Sequence, residues 1–109
     1  MSRVVVGGFD DMFRLGLGDI LTSDQIRFLP AGEDVGRVLN AALPDVVMLD
    51  SASPATAALV RTITHHFPTV RVITCSARTT TMQVYPAFHG GESFTAPLVP
   101  IEIGRQIHT

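Results

Sequence analysis

Pro44-Asp45-Val46-Val47-Met48-Leu49-Asp50 is the stretch on which the reading of this chain turns: four apolar residues between two acids, followed by Ser51-Ala52-Ser53-Pro54. A short continuous apolar run of this kind reads as a strand buried on both faces, with Asp50 delivered at its carboxyl end. In open parallel α/β sheets the working site lies outside the carboxyl ends of the strands, so Asp50 is the first candidate functional residue.

Upstream, Arg3-Val4-Val5-Val6 before Gly7-Gly8 reads as a first strand and its exit loop. Asp10 or Asp11 is placed to cap a helix whose inward face is Phe13, Leu17, Ile20 and Leu21. Gln25 to Leu29 gives a second strand, and Val35, Val38, Leu39 and Ala42 mark a second helix closed before Pro44. Downstream, Pro54 opens a third helix with Leu59, Val60, Ile63 and Phe67 inward, while Arg61, Thr62, Thr64 and His65 face out. Val70 to Cys75 is a fourth strand. Met82 to Phe88 is expected to be a short or kinked helix, because Thr79-Thr80-Thr81 opens helices poorly and Pro86 removes a backbone donor. Ser93-Phe94-Thr95 supplies a fifth strand, and a short last helix runs from Pro100 with Ile103 and Ile107 on one face.

Strands alternating with helices over 109 residues predict one α/β domain, residues 1–109. Right-handed crossovers then fold it into a five-stranded parallel, doubly wound sheet of flavodoxin-like order 2-1-3-4-5. Hydrophobic residues make up 46% and the net charge is -2, with all eight basic residues arginine and scattered. A protein that binds nucleic acid by itself usually carries a basic stripe, so that class is disfavoured. No apolar run approaches the roughly 18 residues of a membrane span, and a cytoplasmic location is expected. Cys75, the single cysteine, reads as a small buried hydrophobe. His65-His66 reads as a solvated helix end: neighbouring helical positions diverge by about 100 degrees and no Cys or acid nearby completes a metal site. Neither a phosphate-binding glycine motif nor a G-x-S-x-G elbow is present.

At this point the chain resembles the receiver domain of two-component response regulators, the CheY-like fold. Pro44 to Asp50 resembles the phospho-acceptor strand, with Pro54 at the proline four residues on. Phe13-Arg14-Leu15-Gly16-Leu17 is similar to the F-R-x-G-L run of receivers that carry LuxR/NarL-type helix-turn-helix output domains, and Phe67-Pro68-Thr69-Val70-Arg71-Val72-Ile73 to the entry into strand 4. The resemblance implies Asp50 as acceptor, Ser76 as switch hydroxyl with Ala77 after it, and Ser93 at the switch aromatic, for which Phe94 stands in if the register slips by one. The acidic pair that holds Mg²⁺ in the family falls on Gly8 and Phe9, and the phosphoryl-binding lysine falls on Ala96 before Pro97.

Phosphoryl transfer depends mostly on positioning and charge neutralisation, so the replaced residues are those that set the rate. One carboxylate alone holds Mg²⁺ feebly. The sequence therefore predicts no resident cofactor and no enzyme: a degenerate receiver that signals through protein contacts. The expected partners are a second copy, through the face of helix 4, strand 5 and helix 5, and a histidine kinase or other signalling protein. DNA would be reached only through a fused output domain, which these residues do not include. Two alternatives stay open. A small molecule enters the emptied pocket of Gly8, Phe9, Asp50, Ser76 and Ala96, unless Phe9 simply fills it, or Asp10 or Asp11 rebuilds the acid pair and keeps a slow acceptor at Asp50. Structurally, Asp50 could equally be a strand-end carboxylate that accepts N–H bonds from Ser51 to Ser53.

Overall fold

The computed structural model describes residues 2–7, 9, 11–21, 25–30, 34–88 and 90–108. In chain order the elements are β1 (Arg3–Gly7), α1 (Asp11–Ile20), β2 (Gln25–Leu29), α2 (Val35–Ala41), β3 (Val46–Asp50), α3 (Thr56–His66), β4 (Arg71–Cys75), β5 (Thr81–Tyr85), β6 (Phe94–Pro97) and α4 (Pro100–Ile107). They form an α/β domain around one six-stranded sheet of order β2-β1-β3-β4-β5-β6.

The first four strands are parallel and stand in the expected order, with Val4 level with Val46 and Val47 level with Val72. β3 is central, and Val46, Val47, Met48 and Leu49 are all 3% exposed or less. Its alternate side chains feed two cores. Val46 and Met48 meet Phe13, Leu17 and Leu21 of the α1 segment and Ile103 and Ile107 of α4. Val47 and Leu49 meet Val35, Val38 and Leu39 of α2 and Val60 and Ile63 of α3. Two helices thus cover each face, as a parallel sheet requires.

Local chemistry sets the helix ends. The Asp34 side chain accepts the Arg37 N–H and caps α2. Pro54 lies in the turn ahead of α3 rather than inside its first turn, whereas Pro100 opens α4 at a position where no backbone donor is needed. Ala42 is exposed and closes α2 instead of extending its inward face, and Thr64 is half-buried. Among the described residues no helix is long and apolar enough to cross a membrane.

The last third departs from expectation. No helix forms over Met82 to Phe88: residues Thr81 to Tyr85 are β5, antiparallel to β4, and β6 returns antiparallel to β5. The sheet is therefore six-stranded and mixed, and the strand expected fifth is the sixth. Side-chain period explains the outcome. Met82 and Val84 are both buried while Thr81, Gln83 and Tyr85 turn to the other face. Residues two apart share a face on a strand and oppose each other on a helix. Pro86 then ends the strand, Phe88 takes a left-handed φ of 62° with its N–H donated to the Pro68 carbonyl, and Gly90 and Gly91 complete the loop at φ 61° and 90°. Where helix 4, strand 5 and helix 5 are expected, the chain instead forms β5, β6 and α4.

Because Met82 is a core residue of a strand, Met82→Ala is expected to destabilise the fold by about 2–4 kcal/mol in urea denaturation. Thr81→Ala, one residue away on the open face, is expected to stay within about 0.5 kcal/mol.

Candidate functional site

β3 delivers Asp50 to the carboxyl edge, half-buried. Its Oδ1 accepts the Ala52 N–H at 2.9 Å, and its main-chain oxygen accepts the Thr56 hydroxyl and the Ser53 N–H. The side chain and its own loop thus form a closed Asx turn that hands the chain to α3.

Across the sheet Asp50 is level with Cys75; the β4–β5 register sets Cys75 level with Met82, and Met82 pairs with Ala96. Cys75, Met82 and Ala96 are 1%, 1% and 5% exposed and belong to one core cluster with Phe9. A row of apolar side chains therefore runs from the carboxylate to the lysine position of the resemblance. Ala96 stands three strands from β3, about 14 Å at ~4.8 Å per strand, one strand further than a five-stranded order would put it.

Phe9, at the second acid-pair position, is 8% exposed and stacks on Phe13 with ring centroids 4.3 Å apart and planes 12° apart. That offset pair fixes the exit of β1 against α1. Neither acid-pair position of the resemblance supplies a ligand oxygen: Phe9 carries a hydrocarbon ring, and glycine at position 8 has no side chain. Gly8 and Asp10 lie outside the described residues; Asp11 opens α1, but its side chain is likewise outside them.

Ser76 is buried, and its hydroxyl accepts the Arg78 N–H at 3.2 Å. Thr79 clamps the same turn, its hydroxyl donating to the carbonyls of Ser76 and Thr81. Ser93 accepts a hydrogen bond from Gln83 Nε2 at 2.9 Å, and Thr95 donates to Gln83 Oε1 at 2.9 Å, on the sheet face turned away from Met82. Phe94 sits at the start of the outermost strand, 42% exposed. The structure thus aligns Asp50 with Ala96 and Phe9 around one apolar row, but ties Ser76 into its own turn and puts Ser93 and Phe94 on the far hairpin. Of the residues expected to line one pocket, Phe9 and Ala96 are buried in the core cluster that also holds Cys75 and Met82, Ser76 is buried in its turn, and Asp50 lines a cavity of about 300 Å³ with Gly7, Leu29, Ser53 and Thr56. Sequence reasoning missed Phe13 as the ring that holds Phe9, Thr79 as the turn clamp, and Met82; period-two alternation over Thr81 to Tyr85 was the available signal for the last.

No protein-family model matches this chain, and no curated protein matches it.

Burial, and then the neighbouring Asp50 charge, push the Cys75 thiol up from 9.0 to about 12. Its thiolate, the reactive form, is thereby suppressed in the folded state. Native protein at neutral pH is expected to resist iodoacetamide, with Cys75 alkylated only on unfolding. The unfolded thiol ionises near 9 while the folded one holds its proton to about 12, so this group's contribution is complete below pH 9 and is lost as pH rises toward 12. Denaturation midpoints measured at about pH 8 and about pH 10.5 should fall across that interval, and less so in Cys75→Ala.

Proposed function

We propose that this chain is a receiver-like signalling module, flavodoxin-like in its parallel half, that acts through protein contacts rather than through Mg²⁺-dependent phosphorylation. The observation that carries the reading is Phe9: a buried ring, stacked on Phe13, where a working receiver holds metal-binding acid. Without that metal, charge on an attacking Asp50 and on a transferring phosphoryl group goes uncompensated, and a metal is worth several kcal/mol of transition-state stabilisation. At ~1.4 kcal/mol per factor of ten, transfer slows by several orders of magnitude.

The parallel half β2-β1-β3-β4, with Asp50 at the end of its central strand, supports the receiver-like reading. Its departures fall where phosphoryl signalling needs residues, at Phe9, Ala96 and the region of helix 4. A protein that keeps the scaffold and replaces those parts is suited to a constitutive contact role. Its partners in this reading are a second copy, through the face of β5, β6 and α4, and a signalling protein such as a histidine kinase. It works in the cytoplasm, in transcription regulation, with DNA contact left to an output domain.

Amide NMR spectra with about 10 mM Mg²⁺, and then with beryllium fluoride as phosphoryl mimic, test this directly. The expected result is no saturable shift at Asp50, Ala52 or Ser76. Saturable shifts spreading from Asp50 to Ala96 would overturn the reading.

A further inference from the structure

The two edges of the sheet differ. β2 presents Gln25-Ile26-Arg27-Phe28-Leu29, with exposed Arg27 at its centre, so two such edges would bring like charges together. β6 and its flanks, Ser93 to Ile101, carry no charged residue at all. Of the six large apolar side chains exposed among the described residues, Phe94 lies on β6, and Val99 and Ile101 lie at the start of α4 that follows it. Unpaired main chain and the exposed Phe94 ring therefore coincide at one edge, where a second identical copy meets no like-charge repulsion and no charge selects a different partner.

The main chain of β6 says how such a copy would sit. Leu98 N–H donates to Thr80 O, and 98 and 80 continue the register that pairs Met82 with Ala96 and Val84 with Phe94. Hydrogen-bonded and non-bonded pairs alternate in an antiparallel ladder, so residues 94, 96 and 98 face β5 while 95 and 97 turn their groups outward. Pro97 has no N–H to offer there. Two antiparallel registers keep all four residues of β6 opposite a second β6 or its immediate flank. Centred on Ala96, Thr95 faces the second copy's Pro97, which cannot donate, and only two hydrogen bonds form. Centred on Thr95, the two Thr95 residues exchange a pair of bonds and each Ser93 N–H meets a Pro97 carbonyl, giving four. That register also sets each Phe94 ring opposite a small Ala96, on the α1–α4 face.

We infer that the chain forms an isologous dimer through β6, antiparallel and centred on Thr95, continuing the six-stranded sheet into a twelve-stranded one. This deepens the homodimer reading given above and rests on it. The contact is small beside the roughly 800 Å² per partner of standard interfaces, so the dimer is concentration-dependent.

Sedimentation velocity over a concentration series, combined with oxidation of Thr95→Cys, tests the inference. Thr95 is exposed, so the variant keeps the fold, and native Cys75 is buried out of reach. Facing residues of a hydrogen-bonded pair lie about 5.5 Å apart at Cα, within disulfide range. A reversible dimer with a disulfide at Thr95→Cys and none at Phe94→Cys is expected. A dimer that Thr95→Cys does not lock, or that Phe94→Cys locks instead, overturns this interface while leaving the homodimer reading standing. A monomer at every concentration, with neither variant cross-linking, removes both.

Discussion

Everything in this domain hangs on the double burial of β3. Val46 to Leu49 are at most 3% exposed, and each lies against helices on one face or the other. A strand in that position cannot shift by one residue without sending each of its side chains into the opposite core, so its register is fixed and the place of Asp50 with it. Burying one such side chain is worth roughly 1.5–3 kcal/mol, and the four adjacent ones together make the strand the least dispensable element of the sheet.

From that fixed point the carboxyl edge is built as packing rather than as a charged cup. Phe9 on Phe13 seals the exit of β1, Cys75 and Met82 fill the row beyond Asp50, and Ala96 closes it without a cation. Asp50 is held by its own loop, with the Ala52 amide on one oxygen. Here the hydroxyl of Ser76 is occupied by the Arg78 amide, and the Phe94 ring lies at the far edge of the sheet. What stays open at that end of the sheet is the outer edge of β6, where Phe94, Thr95 and Pro97 are exposed.

Most of the parallel half was legible because its signals are long and agree with one another. The valine run of β1, the spacing of Phe13, Leu17, Ile20 and Leu21, and the apolar block ending in Asp50 each specify an element and a face. The hairpin was not, because three threonines before and a proline within Met82 to Phe88 fit a broken helix as readily as a short strand. Met82 and Val84, two apart and both buried, are incompatible with one helical face and natural on a strand, but five residues of alternation are a weak signal. The site was half legible for the same reason. Asp50, Phe9 and Ala96 could be placed by counting along the chain, whereas the extra strand that moves Ala96 away from Asp50, and the Phe9–Phe13 stack, depend on three-dimensional packing that no spacing announces.

The strand at residues 81–85 decides the rest, since the apolar row, the distance to Ala96 and the uncharged edge all follow from it. A NOESY spectrum of the protein tests this most directly. A mixed sheet predicts a strong Hα–Hα contact between Gln83 and Thr95, the facing residues of a non-hydrogen-bonded antiparallel pair. Sequential amide–amide contacts running unbroken from Met82 to Tyr85, with no Gln83–Thr95 contact, would mean a helix there and would contradict the fold on which the proposed function stands.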